Sequence, residues 1–291
     1  MTVRFKRVAV LGAGLVGGSF ALALRKLRPR PRVVGWDKPE VLRQARKRGA
    51  IDIADTNLAR AVAGADLVYI ALPVGAALEL LPQIARTAAA RALVTDAASS
   101  KRAICARAAG WFQKGALFLG GHPMAGKEVS GIAAADAALF RGARYALIRP
   151  SSREGGETAD LRVEAFVALI RKLGAQPVWL DAASHDRAAA FVSHLPQLIS
   201  VALAGVVRDA TDESGLPLTL AGRGLRDALR LAASPYSVWR DIVLTNADNI
   251  DRALDRMSQA IENLRTILRT RELEGEFSSA AELYKILHDL Q

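Results

Sequence analysis

His122 is the residue whose type and setting point most directly to chemistry. It stands in "GGHPMAGKEVSG" (Gly120–Gly131), among glycines and other small residues, with Lys127 and Glu128 just behind it. An unperturbed imidazole titrates near pH ~6.5, so at neutral pH it can accept a proton given up by a substrate. Apart from Met124 nothing large and apolar adjoins it, so the stretch reads as an exposed, turn-rich loop. Other clusters also hold reactive side chains. "AASSK" (Ala97–Lys101) places small hydroxyls after a strand, and "HDRAAAFVSHLP" (His185–Pro196) carries two histidines. The stretch "GRGLRDALRLAASPYSVWRDI" (Gly222–Ile242) adds arginines, whose planar fork matches a carboxylate.

What such a histidine acts with is suggested by "GAGLVG" (Gly12–Gly17), which matches G-x-G-x-x-G between a strand pattern and a helix pattern. Gly12 permits the tight turn, Gly14 lets the backbone approach a pyrophosphate, and Gly17 allows helix and strand to pack closely. Phosphates then meet the free N–H groups at the helix start, beside Leu15 and Val16. Asp37 closes the second strand twenty residues after Gly17. Its carboxylate suits ribose hydroxyls and repels a 2′-phosphate, which favours NAD over NADP. Pro73, ending "ADLVYIALP", is assigned to the same cofactor side.

These groups need a scaffold. The first part of the chain alternates strand and helix signals at βαβ spacing: "RVAVLGAG", "RVVGWD", "ADLVYIALP" and "RALVTDAAS" as strands, with helices between. "RYALIRP" and "QPVWL" add two strands around a helix over Thr158–Leu173. From about Ser184 strands stop, and "SHDRAAAFVSHLPQLISVALAGVVRDA" reads as a long helix kinked at Pro196. The rest is helix broken at Gly215–Pro217, Gly222–Gly224 and Ser234–Pro235. Ala247, Ile250, Leu254, Met257, Ile261, Leu264 and Leu268 form an apolar seam, packed either on its own domain or on a second copy. The boundary falls near residue 180, giving a dinucleotide-binding domain over 1–180 and a helical domain over 181–291.

Composition narrows the classes. Hydrophobic content of 51% with 24% charged residues describes a globular chain with a large core. The net charge of +11 favours anionic partners. Basic residues are scattered, and the densest cluster, "RKLRPRPR", suits a helix end, so a small anionic substrate is expected and nucleic acid is not. No uninterrupted apolar run approaches the roughly 20 residues that span a bilayer, so no membrane partner is expected. With no secretory leader pattern and Cys105 as the single cysteine, the reading is cytoplasmic.

With those motifs in order, the chain resembles the prephenate/arogenate dehydrogenase family of tyrosine biosynthesis. The resemblance rests on "GxGLxGGS" at Gly12–Ser19, "D-x-x-S-x-K" at Asp96–Lys101, "GGHPMAG-x-E-x-SG" at Gly120–Gly131, "HD…SHLP" at His185–Pro196 and "G-x-R-D…R-x-A-x-S-x…W" from Gly224. It implies an α/β Rossmann-type dinucleotide-binding domain followed by an all-α dimerisation domain, hence a homodimer. The implied reaction is NAD-dependent oxidative decarboxylation of a cyclohexadienol, with His122 accepting the ring hydroxyl proton and Ser99 linking histidine, hydroxyl and nicotinamide. Loss of CO2 and aromatisation drive it, so no metal is expected. The resemblance puts the substrate carboxylate on Arg230, His194 and Trp239 at the pocket, Glu128 facing Arg230 as a gate, and His185 with Asp186 as a structural pair. Leu229 stands where the family has threonine, and Lys127 where no role is evident. Rival readings are a β-hydroxyacid or imine-type dehydrogenase and a non-catalytic dinucleotide-binding regulator.

Overall fold

The computed structural model describes residues 4–127, 129–149, 160–211 and 215–289. The chain opens as β1 (Arg7–Leu11), α1 (Leu15–Arg25), β2 (Arg32–Trp36), α2 (Pro39–Lys47), β3 (Ile53–Ala54) and α3 (Leu58–Val62). It continues as β4 (Leu67–Ile70), α4 (Val74–Thr87), β5 (Leu93–Asp96), α5 (Arg102–Ala109) and β6 (Leu117–Leu119). Among the described residues these strands form one parallel sheet in the order β3-β2-β1-β4-β5-β6. β4 and β5 are buried along their whole length, as central strands covered on both faces must be. One face packs Phe20, Tyr69, Phe140 and Phe166; the other packs Leu81, Ile84 and Ile104 together with Ile242 from the helical region. Strand order reverses between β1 and β4, and the crevice at that switch point is where such sheets bind ligands.

A second, three-stranded sheet follows: β7 (Gly121–Pro123), β8 (Arg144–Ile148), then α6 (Leu161–Lys172) and β9 (Gln176–Leu180). β7 runs antiparallel to β8, and β9 parallel to it. The chain thus leaves the first sheet at Leu119 and joins the second at Gly121. A Cβ on Gly120 would lie 2.7 Å from Cys105 Sγ, and one on Gly121 2.7 Å from the Asp96 carbonyl oxygen, so only glycines let the backbone cross here. This corrects the reading of the motif. His122 is not displayed on a thin loop: it is a β7 residue, 7% exposed, and its glycines serve close backbone packing. The loop begins only after Pro123. The expected helix over Thr158–Leu173 starts at Leu161, where Asp160 accepts from the Arg162 N–H as cap; Thr158 lies outside the described residues.

The helical region comprises α7 (Ala182–Ala189), a π-helical turn (Ala190–His194), α8 (Leu195–Asp209), α9 (Leu216–Thr219) and α10 (Arg223–Leu229). A 3-10 turn (Arg230–Ala233) then leads to α11 (Tyr236–Thr245), α12 (Ala247–Ile267) and α13 (Glu272–Asp289). Pro196 does not kink the long helix in the expected way. It sits at the start of α8, and the wide turn just before it absorbs the register that proline would otherwise break. The whole run Ala182–Asp209 is long and apolar enough to cross a bilayer by length and composition. The apolar seam of α12 divides. Ile250 and Ala253 are buried with Ala190 beside Leu195, whereas Ile261, Leu264 and Leu268 are exposed.

Candidate functional site

A cavity of about 380 Å3 opens at the switch point. Its floor is the β1–α1 turn. Gly12 adopts φ +89°, and a Cβ there would strike the Ala71 carbonyl; a Cβ on Gly17 would strike the carbonyl of Gly12. At Gly14, the N-cap of α1, a Cβ would meet nothing within 4 Å, so the helix start faces open space with no side chain capping it. N–H groups at a helix start with no internal partner are an anion cradle. Gly14, Leu15, Val16, Pro73 and Ser99 line the cavity, with Gly126, Lys127 and Gly131 on one side and Ser234, Pro235 and Val238 from the helical region on the other. Asp37 closes β2 and is tied to the same turn: its carboxylate accepts from the N–H of Ala13 (2.7 Å) and of Lys38 (2.7 Å). It does not line the cavity. Lys127 pairs with Asp136 at 3.5 Å across the cavity rim. A larger hollow of about 750 Å3, beside Cys105, Phe112 and Arg149, lies on the far side of β6 and contains none of these groups.

Beside this cavity lies a buried polar cluster. Nδ1 of His122 is 2.9 Å from Nε2 of His185, and Nδ1 of His185 is 2.8 Å from Oδ1 of Asp186. Asp186 also accepts from the backbone N–H of Lys101 (2.6 Å) and Arg102 (2.9 Å), capping α5 from the helical region. Burial alone would raise the Asp186 carboxyl, but the His185 hydrogen bond and these N–H groups hold it below its usual value. Burial, then the neighbouring His185, Lys101 and His194, push His122 well below the ordinary histidine range. Its ring is therefore neutral at pH 7. The Lys101 ammonium, fully buried, pairs with Asp96 and donates to the Gly121 carbonyl at 2.7 Å. Asp96 in turn accepts from the N–H of Gly121 (3.1 Å) and Ala98 (2.9 Å). Lysine and aspartate thus grip Gly121 on both sides and set the backbone from which His122 projects.

His194 is fully buried, with burial lowering it to about 4. Its Nδ1 lies 3.2 Å from the Asn246 amide nitrogen, and that same nitrogen donates to the Asp186 carbonyl at 2.8 Å. The His194 ring meets Trp239 edge-on at 5.9 Å. His194 Nε2 and Trp239 Nε1 are buried with no hydrogen-bond partner among the described residues. Arg230 is exposed at the head of its 3-10 turn. That turn is pinned to α8: Gln197 donates to the Leu231 carbonyl (2.9 Å), and Ser200 accepts from the Ala232 N–H (3.0 Å) while donating to the Ala228 carbonyl at the end of α10 (2.8 Å). Gln197 and Ser200, three residues apart and both buried, form the polar face that holds it. Ser234 and Pro235, next in the chain, enter the cavity wall.

The fold therefore gathers the expected residues into two adjoining places. Gly14, Leu15, Val16, Pro73 and Ser99 face the cavity. His122, His194 and Trp239 stand in or against the buried cluster, whereas Arg230, exposed on its 3-10 turn, is not among the residues that line the cavity. Glu128 lies outside the described residues. Sequence reasoning took His185 and Asp186 for a structural pair; they are a hydrogen-bonded pair, yet they also reach His122. It gave no role to Asn246, or to Asp96 and Lys101, the ends of the "D-x-x-S-x-K" motif, because Gly121 and Asp186, on which those roles depend, lie at least 20 residues away. The signals were that motif and the acidic residue directly after His185.

A dinucleotide-type turn at the switch point of a parallel sheet, a neutral buried histidine beside it and a helical region closing the cleft define a two-part Rossmann-type oxidoreductase. Residues 20–178 match the family model described as prephenate dehydrogenase, nucleotide-binding domain, and residues 181–287 that described as prephenate dehydrogenase, dimerization domain. The chain belongs to the prephenate dehydrogenase family. It is 35% identical to a prephenate dehydrogenase of Lactococcus lactis subsp. cremoris over 89% of this chain and 74% of the relative. It is 30% identical to a cyclohexadienyl dehydrogenase of Zymomonas mobilis over 94% of this chain and 91% of that one. A solved prephenate dehydrogenase from Aquifex aeolicus, in complex with hydroxyphenyl propionate and NAD+, superposes with a TM-score of 0.86 at 26% identity, covering 99% of each chain.

Proposed function

We propose that the chain oxidises prephenate, or its amino analogue arogenate, with NAD and loss of CO2, in the pathway to tyrosine. The observation that carries this reading is the buried His122, hydrogen-bonded to His185, next to a cavity whose floor is an uncapped helix start. The residues fit a dinucleotide. Space is left where a Cβ at Gly14 would stand, the α1 N–H groups suit a pyrophosphate, and Asp37, anchored at the turn, keeps lone pairs for ribose hydroxyls. NAD bound there would supply the hydride acceptor.

The chain's own residues do the rest. His122 takes the ring hydroxyl proton as the carbinol carbon is oxidised, and Ser99 on the cavity wall orients that hydroxyl. The ring C–CO2 bond then breaks, its electrons aromatise the ring, and the phenolic oxygen takes back a proton. Arg230 holds the carboxylate, and His194 Nε2 and Trp239 Nε1, buried without a hydrogen-bond partner among the described residues, are left for the substrate to satisfy. We place the division between the cofactor domain and the helical domain near residue 180.

The test is NADH formation followed by absorbance, with prephenate and arogenate each offered NAD and NADP. Turnover with NAD is expected, and none with either substrate would overturn the reading. Arg230→Ala is expected to raise the substrate KM about 10- to 100-fold, the worth of one charged hydrogen-bonded pair, with little change in kcat. An unchanged KM would remove Arg230 from the site.

The enzyme is further proposed to be a cytoplasmic homodimer. Its helical region matches a dimerisation domain, and α13 exposes Phe277, Leu283, Tyr284, Ile286 and Leu287. So many exposed large apolar side chains on one helix suit contact with a second copy. The run Ala182–Asp209 carries His185, Asp186, Gln197 and Ser200, all bonded to neighbouring elements, which supports packing within protein instead of lipid. Phe277→Glu combined with Leu283→Glu should shift the sedimenting species from dimer to monomer; a dimer that persists would place the interface elsewhere.

A further inference from the structure

We propose that His185, backed by Asp186, is a positioning residue that decides which nitrogen of His122 carries the proton. The inference rests on the reading of His122 as proton acceptor and deepens it.

The argument follows the donors and acceptors along the chain of contacts. Asp186 is an ionised carboxylate held by two backbone N–H groups, so toward His185 it can only accept. The His185 nitrogen facing it, Nδ1 at 2.8 Å, must therefore carry a hydrogen. In its neutral form His185 then has a bare Nε2, and that atom lies 2.9 Å from Nδ1 of His122. A bare nitrogen accepts, so His122 must place its hydrogen on Nδ1. Its Nε2 is left with the lone pair, the form needed to take a hydroxyl proton. The opposite tautomer would point an N–H at the substrate hydroxyl and two bare nitrogens at each other.

The rest of the surroundings acts in the same sense. Lys101 and Asp96 fix the backbone of Gly121, one residue before His122. Asn246 donates to the Asp186 carbonyl and meets His194, so α11 and α12 hold the base of the relay. The charged and titratable groups around His122 are thus His185, Asp186, Lys101, Asp96 and His194. Since His185 and Asp186 belong to α7 and His122 to β7, the helical region sets the chemical form of a residue on the sheet.

Two measurements test this. The chain has four histidines, so a ¹⁵N-histidine NMR spectrum is simple to read, and His122→Asn identifies the His122 signals by their loss. At neutral pH the wild-type protein should show His122 protonated on Nδ1 and bare on Nε2; a proton on Nε2 would overturn the proposal. Second, His185→Leu removes the acceptor and should lower kcat about 100-fold or more while KM for NAD holds, as expected when a base is left in the wrong tautomer. His185→Gln places an amide oxygen near the lost Nε2 and should recover most of that kcat. Full activity in the leucine variant, or a glutamine variant no better than leucine, would overturn the relay. If the leucine variant does not fold, the wild-type spectrum decides alone. The spectrum also needs no substrate, so a correct tautomer without turnover on either acid would sink the assigned reaction and leave the relay standing.

Discussion

His122→Asn is expected to lower kcat by about 10²- to 10⁴-fold, the usual worth of a positioned general base, and to leave KM for NAD essentially unchanged. The direction follows from where the ring sits. His122 is buried in β7, outside the wall of the cavity in which the dinucleotide would lie, so its loss removes the proton acceptor without altering the α1 helix start. Asparagine keeps an amide that can contact His185 but cannot take up a proton. A companion result concerns pH. Burial and the nearby His185, Lys101 and His194 hold His122 well below its ordinary value. The competent form is the neutral one, present above that lowered pKa and lost as pH falls through it. Turnover per substrate bound should therefore persist at pH 6, where an unperturbed histidine would be mostly protonated. Its acid limb should lie clearly lower. An acid limb centred near 6.5 would mean that another group, or a far more exposed His122, controls the step. Equal losses in kcat and in NAD affinity in the asparagine variant would make the residue structural.

What could be read from the residues alone divides along a physical line. The parallel sheet was legible because each strand is a short apolar run followed by its turn, so βαβ order is written locally. Breaks in the helical region were legible too: Gly215 and Gly222 cap α9 and α10, and Pro235 precedes α11, as their types require. The change of sheet at Gly120 was not legible. Nothing in "GGHP" says that the glycines face Cys105, Ile148 and Asp96, partners set by tertiary approach. The result was an imidazole taken as exposed when it is buried. The α12 seam illustrates an intermediate case. Its period gives the helix and the face, but whether that face meets its own domain changes along its length, after Leu254. The site behaved likewise. Residues whose roles depend on the backbone turn, such as Gly12, Gly14 and Gly17, declare themselves by spacing. Those whose roles depend on a partner far along the chain, such as Lys101 with Gly121 or Asp186 with Lys101 and Arg102, do not.

Lys101→Met should cost about 3–5 kcal/mol of stability, the range for removing one partner of a buried ion pair. In the native protein the ammonium is fully buried, paired with an equally buried Asp96 and bonded to the Gly121 carbonyl. Methionine matches the length of the stem but leaves the Asp96 carboxylate in the interior with only the N–H groups of Ala98 and Gly121 to offset its charge. The carbonyl of Gly121 loses its donor at the same time. Against a total of about 5–15 kcal/mol for a typical domain, such a loss is a large share. Asp96→Asn in the methionine background removes the stranded charge, so the double variant should be more stable than Lys101→Met alone. That sign of coupling is peculiar to a charge pair and would not arise from lost packing. Urea unfolding followed by fluorescence of the four tryptophans reads both quantities. Folded Lys101→Met should also turn over more slowly, because Gly121 no longer holds His122 in register with the cavity. A methionine variant within about 1 kcal/mol of wild type would be too small a change for a broken buried pair. So would a double variant weaker than the single one, and either result would show that the clamp on Gly121 rests elsewhere.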